Sequence, residues 1–195
     1  GRFANRIGGA QFPLYEEIVH VTPNSAGNCL HSGLHGFNHA LFTAEVTRGE
    51  TDSVTMTAHS PAGTDGFPGN FDLEIQYSLV KEGLMIRYSA TTDAPTVCNM
   101  TNHSYFNLNG HGSGDILGHT LQLQASAFTS ADEHTMPTGE ITSVDGTCMD
   151  FRAPKTIGSG IHDPLLKPFG GYDNNFCLDG SGLRKVAEAA GDKSG

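Results

Sequence analysis

The chain has no tryptophan, only four cysteines in 195 residues, and little positive charge: 11 Lys and Arg stand against 21 Asp and Glu, a formal net charge of −10. Each scarcity excludes something. A nucleic-acid binder needs a basic surface to displace counterions, and an anionic membrane surface attracts basic segments, so neither partner is expected. A neutral ligand is neither attracted nor repelled, which permits a sugar without selecting one. Cys29, Cys98, Cys148 and Cys177 are spaced widely and irregularly with no CxxC, so neither a zinc ribbon nor a redox pair is expected. They read as buried free thiols, because a chain of this length needs no disulfide staples. Apolar runs of membrane length are missing, and a cytoplasmic location is the expectation.

Helical periodicity is scarce as well. With 25 Gly and 9 Pro, and no every-third-residue glycine period, the chain suits short strands joined by turns. Residues 71–79 alternate, placing Phe71, Leu73, Ile75, Tyr77 and Leu79 on one face. Residues 83–90 read as the next strand, with Lys81-Glu82-Gly83 as the hairpin turn. Thr120 to Ala125 alternates again, and Val54 to Ala58 and Ala40 to Val46 are weaker strands. Loops rich in Gly, Pro and Asp fall at Ser60 to Asn70 and His111 to Asp115. Ala187 to Gly195 reads as a frayed tail. The pattern predicts an all-β sandwich or barrel in one domain spanning residues 1–195.

Histidine is abundant, at 10 residues. His31, His35 and His39 would share one face of a helix and hold zinc, but two glycines disfavour a helix there and Ser32 stands where a metalloprotease has Glu. Solvated loop histidines are the other reading. His103 lies in Thr101-Asn102-His103-Ser104-Tyr105-Phe106-Asn107-Leu108, where aromatic rings alternate with hydrogen-bonding groups and no charge appears. Such a run suits a ligand-facing strand better than a core strand; a structural histidine in a polar network is the alternative. Asp173, in a glycine-rich approach, reads as a turn residue. Arg2 and Arg6, with Asn5 between them, either clamp an oxygen-rich ligand or lie as surface charge.

Taken together, these segments resemble the aldose 1-epimerase family. Gly1-Arg2-Phe3-Ala4-Asn5-Arg6-Ile7 looks like that family's opening GR-x-ANRI segment, and Asn28 to Gly33 with Gly36-Phe37 looks like its N-x-LHGG…GF segment. Asp65-Gly66-Phe67-Pro68-Gly69 is similar to its (D/E)-G-(F/Y)-PG loop, and Thr101 to Leu108 to TNHSYFNL. Pro137 to Ile141, Val144, Gly146-Thr147 and Asp150 to Pro154 follow its PTGE…DFR-x-P stretch, and Tyr172-Asp173 with Asn175-Phe176 its G-(Y/F)-DHNF segment. The matches run in family order along almost the whole chain.

The resemblance implies a large antiparallel β-sandwich of the galactose mutarotase type, truncated here, with a monosaccharide in an open cleft. It implies an enzyme that interconverts the α and β anomers of aldohexoses such as galactose and glucose by acid–base ring opening, without metal or other cofactor. In that scheme His103 is the general acid, and Asn5, Arg6, His31 and Asp173 bind the sugar hydroxyls. Ser32 and Asn174 depart from the family pattern, and each loosens its loop on this reading. The family's base is a Glu near its C-terminal end, with no counterpart here, since Asp192-Lys193-Ser194-Gly195 looks like a family segment cut short. Both ends read as incomplete, and this segment by itself is expected to aggregate and to be inactive or nearly so. An epimerase of hexose 6-phosphates would want more basic residues. A non-catalytic carbohydrate-binding sandwich is the rival, against which His103 speaks. A monomer or homodimer is expected.

Overall fold

The alternation at residues 71–90 does produce a hairpin, in which Phe71–Val80 and Gly83–Thr92 pair antiparallel with Lys81 and Glu82 in the turn. The structure, a computed structural model, describes residues 1–194. It separates into two units, the first spanning Gly1–His103 and the second running from Ser104 onward.

The first unit contains β1 (Arg6–Ile7), β2 (Gln11–Leu14), β3 (Glu17–His20), β4 (Cys29–Leu30), β5 (Thr43–Thr47), β6 (Ser53–Ser60), β7 (Phe71–Val80) and β8 (Gly83–Thr92). Strands β5 to β8 form a four-stranded antiparallel meander, β2 pairs with β3, and β1 with β4. Register is unbroken across the meander, so Ala58, Leu73 and Ala90 line up, as do Met56, Ile75 and Tyr88. Directly opposed residues share a face, and period-2 alternation therefore collects the apolar side chains on one side. Phe37 packs with Phe71 and Leu73 on that side, flanked by Ala40, Phe42 and Met100. A second cluster, Ile7, Ala10, Val21, Cys29 and Phe67, lies under the shorter pairs.

Two details depart from the periodicity. Leu79 is 64% exposed while Ser78 is only 8% exposed. The pairing Leu79↔Leu84 keeps Leu79 on the apolar face, but the cluster around Phe71 covers only the other end of the strand. The expected strand at Ala40 starts at Thr43, because Phe37–His39 is a 3-10 turn that feeds Ala40 and Phe42 into the core.

The second unit holds β9 (Thr120–Leu123), β10 (Ala125–Ala131), β11 (Pro137–Ser143), β12 (Lys155–Thr156), β13 (Phe176–Leu178) and β14 (Ala187–Ala190). They form two three-stranded antiparallel sheets, β11-β10-β13 and β12-β9-β14. The single strand expected from Thr120 to Ala125 is thus two strands in different sheets, divided at Gln124. The expected frayed tail is instead largely ordered: β14 pairs along β9, and the Asp192 carboxylate accepts a hydrogen bond from Asn109 at 2.8 Å. Gly195 lies outside the described residues. Phe128, Val144, Cys148, Met149 and Leu166 form this unit's core.

All four cysteines are free, but only Cys29 and Cys148 are buried; Cys98 is exposed and Cys177 half-buried. Val97 packs inward against the first unit's core, and in an extended chain its neighbour Cys98 must then point out. Among the described residues no helix is long and apolar enough to cross a membrane.

Candidate functional site

The site begins with backbone pairing around residues 2–6. On one side the Ala4 amide donates to the Asn99 carbonyl at 2.8 Å, and the Asn99 amide to the Arg2 carbonyl at 2.7 Å. On the other side Arg6 pairs with Leu30, and the His31 amide donates to the Asn5 carbonyl at 2.9 Å. The segment carrying Asn5 and Arg6 therefore lies between the His31 turn and the chain leading into His103. As a result the His31 and His103 rings meet edge to face, with centroids 5.2 Å apart and planes at 84°.

Hydrogen bonding settles the His31 tautomer. Its Nδ1 accepts the Asn5 amide at 3.1 Å, so the neutral ring carries its proton on Nε2. Burial first, then the nearby His103 and Arg6, push the His31 pKa below its ordinary value. His31 is thus a neutral Nε2–H donor near pH 7. Arg6 donates to the Asn5 Oδ1 at 3.1 Å, which orients that amide.

A pocket of about 430 Å³ opens beside these groups, with His31, Thr101, Asn102 and His103 at its polar rim. Its floor is the apolar face of the meander, lined by Ile75, Tyr77 and Tyr88, with Phe37 of the 3-10 turn beside them. That volume falls within the roughly 300–1,000 Å³ of small-molecule pockets. A larger hollow of about 550 Å³ lies on the side of the sheet that carries Asp72 and Glu74. It has strand hydroxyls and an exposed His59–Asp72 contact at 2.7 Å, but no aromatic wall. The smaller pocket, with its paired imidazoles and ring-lined floor, is the better site.

Asn5, Arg6, His31 and His103 come together in the first unit. Asp173 belongs to the second unit, where it is exposed. Its neighbour Tyr172 packs edge-on against Phe151, with centroids 5.2 Å apart, and donates its hydroxyl to the Cys148 carbonyl at 3.2 Å. Burial, with Cys148 and Asp163 nearby, pushes the Tyr172 hydroxyl up to about 12, so it remains a donor.

Several expectations need correction. Residues 101–106 form no regular strand; the run is exposed, with Tyr105 90% exposed. His31, His35 and His39 do not share a helix face, since a turn and then a 3-10 turn occupy that stretch and the His35 ring approaches Asp65 at 3.4 Å. Arg2 neither clamps a ligand nor lies on the surface. It is 2% exposed and donates to the carbonyls of Ser60, Pro61, Pro68 and Gly69 and to the Ser60 hydroxyl. Ser32 does not loosen its turn: its Oγ accepts the Phe3 amide at 2.8 Å and donates to the Phe3 carbonyl at 3.2 Å. Asn174 does leave a buried Oδ1 with no hydrogen-bond partner.

Two supporting residues escape sequence reasoning. Asn24 accepts the Leu30 amide at 2.6 Å and donates to the Leu30 and Gly33 carbonyls, bracing the His31 turn from one side. Asp65 braces it from the other, accepting the Leu34 amide at 3.1 Å and the His35 amide at 2.7 Å. Asp65 opens the segment that resembles the family's (D/E)-G-(F/Y)-PG loop, but nothing in that pattern assigns it a partner, and Asp-Gly by itself reads as an ordinary turn.

Comparison with known proteins gives the family and the fold. The family described as "Aldose 1-epimerase" matches residues 1–195. A galactose mutarotase of Bos taurus is 39% identical over 93% of this chain and 51% of its own length. An aldose 1-epimerase of Escherichia coli (strain K12) is 37% identical over 97% of this chain and 54% of its own. The chain thus spans about half the length of the curated relatives it matches. The crystal structure of a galactose 1-epimerase from Lactobacillus acidophilus NCFM matches with a TM-score of 0.90 at 29% identity, covering 97% of this chain and 56% of that one. An aldose epimerase homologue from C. elegans matches with a TM-score of 0.83 at 30% identity, covering 100% of this chain and 58% of that one.

Proposed function

The chain belongs to the aldose 1-epimerase family, and on that premise we propose that the protein interconverts the α and β anomers of an aldohexose, galactose or glucose being the first candidates. We further propose that both units are parts of one galactose mutarotase-like β-sandwich domain, a reading supported by solved structures that match 97% and 100% of the chain.

One observation carries the functional reading: an exposed His103 imidazole stands edge to face with a neutral His31 at the rim of a ring-lined pocket. Mutarotation opens a hemiacetal and recloses it with C1 inverted. The ring oxygen must gain a proton while the anomeric hydroxyl loses one, and after rotation about C1–C2 both transfers reverse. His103 is assigned the first task, because an imidazole gives and retakes a proton near neutrality. His31, through Nε2–H, and Asn5 and Arg6, through their amide and guanidinium, are assigned to the sugar hydroxyls, and Asp173 likewise. A carbohydrate presents a flat apolar face together with directional hydroxyls, which suits a floor of Tyr77 and Tyr88 beneath a polar rim.

The reaction also needs an acceptor for the anomeric proton. Glu188 is not given that role, since its carboxylate is engaged by Lys185, and neither is Glu140, an exposed strand residue.

Polarimetry of freshly dissolved α-D-galactose with the intact protein is the test. Acceleration over buffer is expected, falling by roughly 10²–10⁴ in His103→Ala. Galactose binding without acceleration in the unsubstituted protein would identify a carbohydrate-binding sandwich instead.

A further inference from the structure

We propose that Asp65 is a positioning residue for sugar recognition: its carboxylate holds the turn His31–Gly33 in a left-handed backbone conformation and so sets the His31 ring against Asn5 and His103. The inference rests on the reading of His31 as a sugar-binding group.

The turn is unusual. His31, Ser32 and Gly33 follow one another with φ of 50°, 76° and 88°. Only glycine adopts this region freely, so the first two persist because their surroundings hold them there. Beyond the turn, the successive Leu34 and His35 amides both point at one carboxylate, whose side chain is 2% exposed. Successive amides around left-handed residues form a concave anion site, and here the anion is supplied by the chain itself. Gly33 completes the fit, since a Cβ there would lie 2.7 Å from the Asp65 carboxyl carbon.

Asp65 is held in turn. Its own φ is 49°, its carbonyl accepts the Thr22 amide at 2.9 Å, and the flanking loop is pinned by Arg2. Burial alone would raise its pKa, but the Leu34 and His35 amides, the His35 ring and the Thr22 hydroxyl outweigh it and keep the group ionised. In Asp65→Asn the charge is gone and one of the two amides meets an NH2 group in place of its acceptor, so the turn relaxes toward ordinary φ values. The His31 Nδ1 then leaves the Asn5 amide.

The test is a double-substitution cycle with a spectroscopic arm, on the intact protein. In Asp65→Asn, KM for galactose is expected to rise roughly tenfold with kcat much less affected, the size of losing a charged hydrogen bond. In a His31→Gln background the same change should move KM by less than about twofold, because Asp65 acts through His31. Equal effects in both backgrounds overturn the proposal. Nitrogen-15 NMR of the histidine rings reads the geometry without activity. The unsubstituted protein should show His31 as the Nε2–H tautomer, and Asp65→Asn a mixture of tautomers. A different tautomer in the unsubstituted protein, which needs no variant to fold, refutes the proposal. So does an unchanged His31 signal in a folded Asp65→Asn. If the unsubstituted protein shows no acceleration at all, the epimerase reading fails, while the NMR arm still decides the placement of His31.

Discussion

Gly33 lies so close to Asp65 that any side chain at position 33 must displace the carboxylate that braces the His31 turn, since a Cβ there would fall 2.7 Å from its carboxyl carbon. Neither residue is catalytic in the proposed scheme, yet each fixes the geometry of one that binds.

Gly33→Ala is therefore expected to destabilise the protein. The left-handed backbone at φ 88° alone costs an alanine about 1–2 kcal/mol, and displacement of Asp65 adds to it. Urea denaturation should show a lowered midpoint at unchanged slope. An unchanged midpoint would mean that the turn can reorganise freely.

Arg2 offers a contrast of charge with burial. Its guanidinium donates to loop carbonyls and one hydroxyl rather than to a carboxylate, and it stands 5.2 Å over the Phe71 ring. Burial lowers its pKa, but the fork stays charged at any ordinary pH. Arg2→Met should cost on the order of 3 kcal/mol, because several carbonyls lose a charged donor at once. Arg2→Lys should recover only part of this, since a single ammonium cannot span acceptors from Ser60 to Gly69. Recovery to the original midpoint would show that charge alone, without the fork, suffices.

The His31 pKa makes stability depend on pH. Its folded value is depressed, by burial first and then by His103 and Arg6, so the unfolded chain binds the proton more tightly. The corresponding stability is present above the unfolded pKa of about 6.5 and is lost as pH falls through the lower folded value. Between pH 7 and pH 5 the melting temperature of the unsubstituted protein should thus fall more than that of His31→Gln. Parallel curves would show that His31 titrates alike in both states.

Much of the site was legible in the residues, though unevenly. The run around His103 stands out by its interleaved rings and amides, and His31, Asn5 and Arg6 fall within recognisable segments. The support was not legible. Asn24 looks like an ordinary loop residue, Asp65 stands in a recognisable loop segment with no sign of its partner, and Arg2 looks like half of a ligand clamp, because a side chain's partner is set by chain folding over long separations: Arg2 meets residues about sixty positions away. The run around His103, read as facing a ligand rather than the core, is exposed but forms no regular strand, since alternation of polar and aromatic residues marks exposure to a ligand as readily as pairing in a sheet.

By itself the sequence determined the strand-rich architecture and the family, because period-2 alternation and turn chemistry are local and the motifs keep their order along the chain. Only the tertiary structure decided that the His31 and His103 rings touch, that His31 is a neutral Nε2–H donor, and that a buried aspartate holds its turn. Those facts depend on backbone dihedrals and on the burial of particular atoms, which arise when distant segments pack and which no local pattern of residue types encodes.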